Sequence, residues 1–227
     1  MGYVAEVLAD SPVAWMRLAE ASGLPQDSSG NAHHASAVGG TPTYLQEDAI
    51  LDDPDAYGAM LFGGVSDQFT IPAHAALNTA DLTVEAWVKP TTLRVQGIVV
   101  KNSASSWRLF MNATSGSIEF DAFADAVNCA TGANVISAGV WSHVVAVYDS
   151  VGQTMKVYLN GGAAKASTAA VASVGGTFNS DLIIAGATVN RWSGGMDEVA
   201  FYNTPLSQAR IQAHYDEGIR SVFGVAT

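Results

Sequence analysis

Cysteine is almost absent from this chain. Cys129 stands alone among 227 residues, so no internal disulfide can form and the fold must hold by packing, with a metal as the one available staple. Charge is scarce too, at 14% of residues, and it leans to one sign: 10 basic against 21 acidic side chains, a net charge of −11. That excludes nucleic acid as an expected partner, because binding to phosphates relies on Lys and Arg displacing counterions. No run reaches the ~20 apolar residues of a membrane-crossing helix, so membrane insertion is not expected. The segment Met1-Gly2-Tyr3-Val4-Ala5-Glu6 lacks the basic flank and apolar run of a secretory signal. The expectation is either a signal cut from a larger chain or release by another route, such as assembly into a virus particle. Pro- or Ser-rich linkers and repeats of 20 to 50 residues are also missing.

What is present is turn-rich and apolar: 22 glycines and 48% hydrophobic residues, the profile of short strands around a substantial core. Leu82-Thr83-Val84-Glu85-Ala86-Trp87-Val88-Lys89 alternates, with Leu82, Val84, Ala86 and Val88 on one face and Thr83, Glu85, Trp87 and Lys89 on the other. Such period-two alternation marks a strand buried on one side. Trp107–Asn112 and Ile118–Asp121 continue the pattern, with Gly116 as the hairpin turn between them. Asn160-Gly161 after Met155–Leu159 is a second hairpin signal. One helix is expected after Asn203, with Thr204 as cap, Pro205 at its first position and Gly218 past its end. Ten or more short strands with one short C-terminal helix predict an all-β fold, a two-sheet antiparallel sandwich.

The order of motifs resembles the laminin G-like, concanavalin A-like lectin and glucanase jelly-roll family. Ser11–Glu20 is similar to that family's opening strand, and Asp27-Ser28-Ser29-Gly30-Asn31 to its Asp-x-Ser-Gly turn. Thr83–Lys89, Trp141-Ser142-His143-Val144 and Val157-Tyr158-Leu159-Asn160-Gly161 resemble its central strands. Asp197-Glu198-Val199, five residues after Trp192, resembles its closing strand. The resemblance implies one domain over residues 1–227, with a core from about 12 to 218, and places Trp15, Trp141 and Trp192 in the core.

The resemblance further implies a structural Ca²⁺ between the early turn and the closing strand. Asp27, the Gly30 carbonyl, and Asp197 or Glu198 are the expected ligands, since Ca²⁺ takes six to eight hard oxygens. The competing reading is an Asx turn at Asp27 and a backbone or basic partner for Asp197. Asp52-Asp53-Pro54-Asp55 does not follow the EF-hand spacing, because Gly64 stands where the closing Glu belongs, and reads as a solvated loop. The glucanase signature Glu-x-Asp-x-x-Glu begins at Glu119-Phe120-Asp121 but ends at Ala124, so the acid/base is missing and no catalytic residue is assigned. His33 and His34, as neighbours on one segment, point apart and are poor joint metal ligands. Asn112-Ala113-Thr114 is a formal glycosylation sequon and carries no weight.

Sugar faces stack on exposed aromatics while amides and carboxylates bond the hydroxyls. Trp87, Arg108, Phe110, Glu119, Asp121 and Phe123 supply that composition on expected outward positions of adjacent strands, against the reading that most of these aromatics are structural. Three functions follow. The first is a non-catalytic, surface-exposed module binding a glycan or protein, on a virion surface or otherwise extracellular. The second is a structural virion decoration or tail accessory, contacting phage capsid or tail proteins or forming a homo-oligomer. The third is a laminarinase-like hydrolase, disfavoured by Ala124.

Overall fold

The alternation of Leu82–Lys89 sits at the centre of the molecule. The computed structural model describes residues 2–51, 58–101, 106–112, 115–123, 126–174, 179–186 and 190–220; Asp52–Asp55, Ala113, Thr114 and Ala124 lie outside them. After a short helix α1 (Tyr3–Ala9) come β1 (Ala14–Met16), β2 (Ala37–Gly39), β3 (Thr43–Gln46), β4 (Ala59–Gly63) and β5 (Gln68–Ile71). A 3-10 turn (Ala75–Leu77) leads into β6 (Leu82–Pro90), β7 (Gln96–Lys101), β8 (Trp107–Asn112), β9 (Ser117–Ala122) and β10 (Val127–Ala130). Then follow β11 (Ser142–Asp149), β12 (Thr154–Leu159), β13 (Ala166–Ala169), β14 (Leu182–Ile184), β15 (Ser193–Tyr202) and the helix α2 (Gln208–Gly218).

The strands form two antiparallel sheets. One has the order β13-β12-β11-β6-β15-β4-β3, with β1 paired to the second half of β15; the other runs β10-β9-β8-β7-β14-β5-β2. Every second residue of the facing strands points between the sheets, as pleating requires. Leu82, Val84, Ala86 and Val88 meet Trp107, Leu109, Phe120 and Trp192 there. Trp107 of β8 stacks on Phe201 of β15 across the gap, ring centroids 6.1 Å apart. The lone Cys129 is buried in this core, and burial pushes its thiol pKa up.

The opposite face of β6 was expected to reach solvent. It does not: Thr83, Glu85 and Trp87 are buried as completely as the core face. The reason is a second apolar layer in which α1 and α2 lie over the eight-stranded sheet. Tyr3, Val7 and Ile211 from the helices pack on Trp15, Trp87, Val145 and Tyr202. Helix α1 was not foreseen, since seven residues carry little periodicity; only Tyr3 and Val7, four apart, are buried. Helix α2 begins later than expected, at Gln208 with Ser207 as its cap, whose Oγ accepts the Arg210 N–H. Residues 204–206 stay non-helical because Thr83 on β6 holds them: its hydroxyl donates to the Thr204 carbonyl and accepts from the Leu206 N–H. Gly218 is the last helical residue, where any side chain would collide with Trp87, its Cβ only 2.6 Å from the indole.

Glu85 lies under the helices with no exposed surface. It accepts from Tyr202 Oη at 2.6 Å and meets His143 Nε2 at 3.2 Å and His214 Nδ1 at 3.0 Å. His214 Nε2 lies 2.9 Å from Asp10, which pairs with Arg210, and Arg210 also reaches Glu6 at 2.7 Å. Burial alone would raise the Glu85 pKa, yet His214 and His143 hold it far below the usual carboxylate range. Burial disfavours charge on His214 as well, and Glu85 and Asp10 overcome it, so its pKa is raised. Both helices are thus tied to β6 through one charged cluster.

Removing one partner of a buried ionic cluster costs about 3–5 kcal/mol. Glu85→Ala should therefore lose about that much stability in urea unfolding at pH 6; a loss under ~1 kcal/mol would show that the cluster does not hold the helices. The depressed Glu85 contributes stability that disappears as pH falls below the ordinary carboxylate pKa of ~4.3, and the raised His214 contributes stability that disappears as pH rises through and beyond ~6.5. The contribution of this cluster is therefore greatest between those values, and a double Glu85→Gln, His214→Phe variant should show a flatter pH profile.

Candidate functional site

The hairpin of β8 and β9 turns at Gly116, and its register sets Arg108 opposite Asp121 and Phe110 opposite Glu119. Trp107, Leu109, Met111, Ile118, Phe120 and Ala122 fill the core. Arg108, Phe110, Asn112, Glu119 and Asp121 therefore share the outer face of the seven-stranded sheet. The Arg108 guanidinium carbon lies 3.9 Å from the Phe110 ring centroid and 5.2 Å from that of Phe123, and the group pairs with Asp121 at 2.7 Å. Glu119 accepts from the side-chain amides of Asn112 and Asn128, the latter at 2.6 Å. Arg108, Glu119, Asp121, Phe123 and Asn128, with Ala122, Ala126 and Val127, line an open cavity of about 310 Å³.

Five of the six residues expected to bind a ligand are therefore gathered in one place, with a change in their roles. Phe110 is 4% exposed and lies beneath Arg108, so the guanidinium offers more surface to a ligand than that ring does. Trp87 is not part of the site. It belongs to β6 in the other sheet, 2% exposed, in ring contact with both His143 at 5.0 Å and Tyr215 at 5.7 Å and donating its N–H to Tyr3. Asn112 and Asn128 were missed. Asn112 was within reach of the sequence, two positions from Phe110 on the same face; Asn128 needed the pairing of β10 with β9.

Burial raises the Asp121 carboxyl, Arg108 opposes that rise, and the neighbouring Glu119 adds to it, bringing the pKa to about 6. No donor among the described residues reaches Asp121 Oδ1, which is shielded from solvent. A carboxyl so placed is kept partly protonated near neutrality by desolvation and a like charge.

The early Asp turn and the closing acidic strand do lie side by side, because β1 pairs with β15 and Asp27 bridges to Met16. Trp15 joins them. Asp27 accepts its backbone N–H at 2.9 Å, and Glu198 accepts its indole N–H at 2.5 Å. Asp27 also takes the Ser29 N–H and Oγ–H and the His33 N–H, and Glu198 takes Arg17. Protein hydrogen-bond donors, the Arg17 guanidinium among them, meet these two carboxylates, and Gly30 is exposed beyond them. A bulge in β15 accounts for Asp197 and Glu198: Glu198 has φ +50° and the register against β6 shifts there. The extra residue puts both acids on the helix-covered side, where regular alternation would divide them.

Asp197 is the member of the set that fits a cation. It is 1% exposed, its Oδ2 accepts the Ala49 N–H at 3.0 Å, its carboxyl meets that of Asp48, and no N–H among the described residues reaches its Oδ1. Burial, Glu198 and the adjacent Asp48 carboxyl push its pKa well up. Two carboxyls facing each other out of water need a shared proton or a cation between them. No group of three or more His, Cys, Asp or Glu side chains among the described residues is arranged to hold a metal ion, so an ion here would complete its shell with carbonyls and water.

Elsewhere, His34 Nδ1 accepts the Asp27 N–H, while the His33 ring lies tilted against His74 with centroids 4.3 Å apart beside a cavity of about 710 Å³. His74 Nδ1 already accepts the Ala76 N–H, which leaves its Nε2 protonated in the neutral ring.

The concanavalin A-like lectin/glucanases superfamily matches residues 62–212. The chain belongs to this superfamily. No curated protein matches it. Among solved structures, this jelly roll is similar to domain 4 of AbnA, a GH43 extracellular arabinanase from Geobacillus stearothermophilus, solved with arabinotriose. That likeness has 18% identity and a TM-score of 0.68, over 90% of this chain and 98% of that one. It is also similar to the binding domain of Paraclostridial Mosquitocidal Protein 1, with 16% identity and TM-score 0.70, over 92% and 52% of the two chains. The botulinum neurotoxin serotype D ligand binding domain, solved with N-acetylneuraminic acid, gives 14% identity and TM-score 0.66, over 94% and 52%. The chain spans about half the length of those toxin domains.

The environment of Asp121 yields a direct measurement. Carboxyl NMR titration should show Asp121 with a midpoint of about 6, and Asp121→Asn should remove that titration. A midpoint in the ordinary range near 4 would mean that the cleft does not desolvate the pair.

Proposed function

We propose that this chain is a non-catalytic binding module that takes a neutral saccharide chain in the Arg108 cleft, working outside the cell or on a virion surface. The observation that carries this reading is the Arg108 guanidinium set on Phe110 and paired with Asp121 in an open cavity. It presents donors at its edge, Asn128 adds an amide, and Phe123 adds an apolar flank, the mixed lining that holds and orients a sugar. Arg108 is paired with Asp121, and Glu119 adds a second carboxylate held by neutral amides, so among the described residues no free cation invites an acidic ligand. The similarity to the arabinanase domain solved with arabinotriose, nearly end to end in both chains, supports a saccharide over a protein.

Hydrolysis is disfavoured on geometry as well as on Ala124. A retaining hydrolase needs two carboxyls free to reach the bond, about 5–5.5 Å apart. Here Glu119 is held by two amides and Asp121 by Arg108. Calorimetry against arabino-oligosaccharides and neutral cell-wall polysaccharides should find a ligand, with no release of reducing ends. Arg108→Ala should weaken it at least tenfold, about 1.4 kcal/mol. Binding untouched by that substitution would move the site elsewhere, and measurable turnover would overturn the reading.

A structural calcium ion is proposed at Asp197 with Asp48, supported by the buried Asp197 Oδ1, which no N–H among the described residues reaches, and by the Asp48 carboxyl beside it. Ca²⁺ should raise the melting temperature and EDTA lower it, and Asp197→Asn should abolish the difference. A proton in place of the ion predicts no response to either reagent.

A further inference from the structure

Trp141 was expected in the core, yet it is the tryptophan that reaches solvent. Trp15, Trp87, Trp107 and Trp192 are between 0% and 2% exposed, whereas Trp141, the residue before β11, is part-exposed. Its surroundings form a trough on the outer face of the eight-stranded sheet. Cross-strand pairing places Leu61 of β4 opposite Gly195 of β15, and Gly195 opposite Lys89 of β6. Gly195 leaves bare backbone in the middle of that row, and the benzo edge of Trp141 lies over it. A Cβ at Gly195 would stand 2.9 Å from Trp141 Cη2, so a side chain there would lift the indole away. The trough begins two residues along β6 from Trp87, which α2 covers.

Gln46, Glu47, Leu61, Lys89, Trp141 and Gly195 are among the residues lining this cavity of about 280 Å³. Lys89 Nζ is 2.8 Å from Glu47 Oε2 and 5.8 Å from the indole centroid. Leu61 is 38% exposed and the Glu47 side chain 78%. An apolar floor with one flat aromatic is thus bordered by a donor, an acceptor and an amide whose charges cancel. The volume lies at the small end of ligand cavities and suits about one or two hexose rings.

We propose that this trough is a second saccharide site, on the sheet opposite the Arg108 cleft, that takes a neutral β-linked hexopyranose across the Trp141 indole. Equatorial hydroxyls leave both faces of such a ring lined with C–H groups, which lie flat on an indole. The hydroxyls at its rim meet the Lys89 ammonium, the Glu47 carboxylate and the Gln46 amide. The matched charges, on a chain of net charge −11, give an anionic sugar no advantage. Lys89, on a flexible stem, is the element that moves aside when the ring enters.

The site stands apart from the proposed cleft, and the test separates them. Because four of the five tryptophans are buried, quenching of intrinsic fluorescence by acrylamide reports mainly on Trp141. Cellotetraose, laminaritetraose and chitotetraose, each titrated to about 10 mM, an excess over millimolar sugar affinities, are the probes. At least one should shift the emission to the blue and lower the quenching constant about twofold, saturably. The effect should persist in Arg108→Ala and vanish in Leu61→Arg, which fills the trough while leaving Trp141 in place. An unchanged melting temperature for each variant establishes that the fold is intact. No response to any of the three sugars overturns the proposal, and so does a response that survives Leu61→Arg. A response lost in Arg108→Ala but kept in Leu61→Arg belongs to the cleft and also overturns it.

Discussion

A carboxylate without an exposed atom is tolerable only where other groups replace the water it has lost, and Glu85 shows what that demands. Two imidazoles and a tyrosine hydroxyl meet it, and one of those imidazoles reaches on to Asp10 and Arg210. The cluster draws on β6, β11, β15, the segment after α1, and α2. Both helices must therefore rest on one face of the eight-stranded sheet. Trp87 disappears beneath them for that reason, and so do the Asp197–Glu198 bulge and the Trp15 indole.

With the inner face of each sheet committed to the common core, the outer faces are what remain for recognition. The helices take much of one. What is left there is the strip around Trp141, beyond the reach of α2. Among the described residues no such cover lies over the outer face of the seven-stranded sheet at the β8–β9 hairpin, and the Arg108 cleft opens there. Each cleft contains an ion pair beside an aromatic ring, Arg108 with Asp121 over Phe110 and Lys89 with Glu47 beside Trp141. Such an arrangement suits neutral, hydroxyl-rich ligands, because a paired cation orients hydroxyls without attracting anions.

Much of this was legible from local pattern. Period-two spacing assigned Leu82, Val84, Ala86 and Val88 to the core, and Gly116 marked the turn that aligns Arg108 with Asp121. Glu119 and Asp121, two apart on one strand, had to share a face. Local pattern failed at Trp87 and Trp141, whose roles are exchanged relative to expectation. Alternation says which side of a sheet a residue faces, and it is silent on what lies against that side. The same limit applies to Asp197 and Glu198. As consecutive residues they read as pointing apart, and the left-handed turn at Glu198 sets them on one side instead. Helix α2 begins late because Thr83, over a hundred residues away, captures the backbone before it.

The amino-acid order by itself determined the strands, the hairpins and the clustering of polar residues on β8 and β9, since each depends on contacts near in sequence or on pleat parity, and its order of motifs pointed by resemblance to the two-sheet jelly roll. The tertiary structure alone decided which tryptophan meets solvent, which carboxyls are joined and which outer face is left open. Those outcomes rest on distant segments packing over one another, and no period within a strand encodes what will cover it.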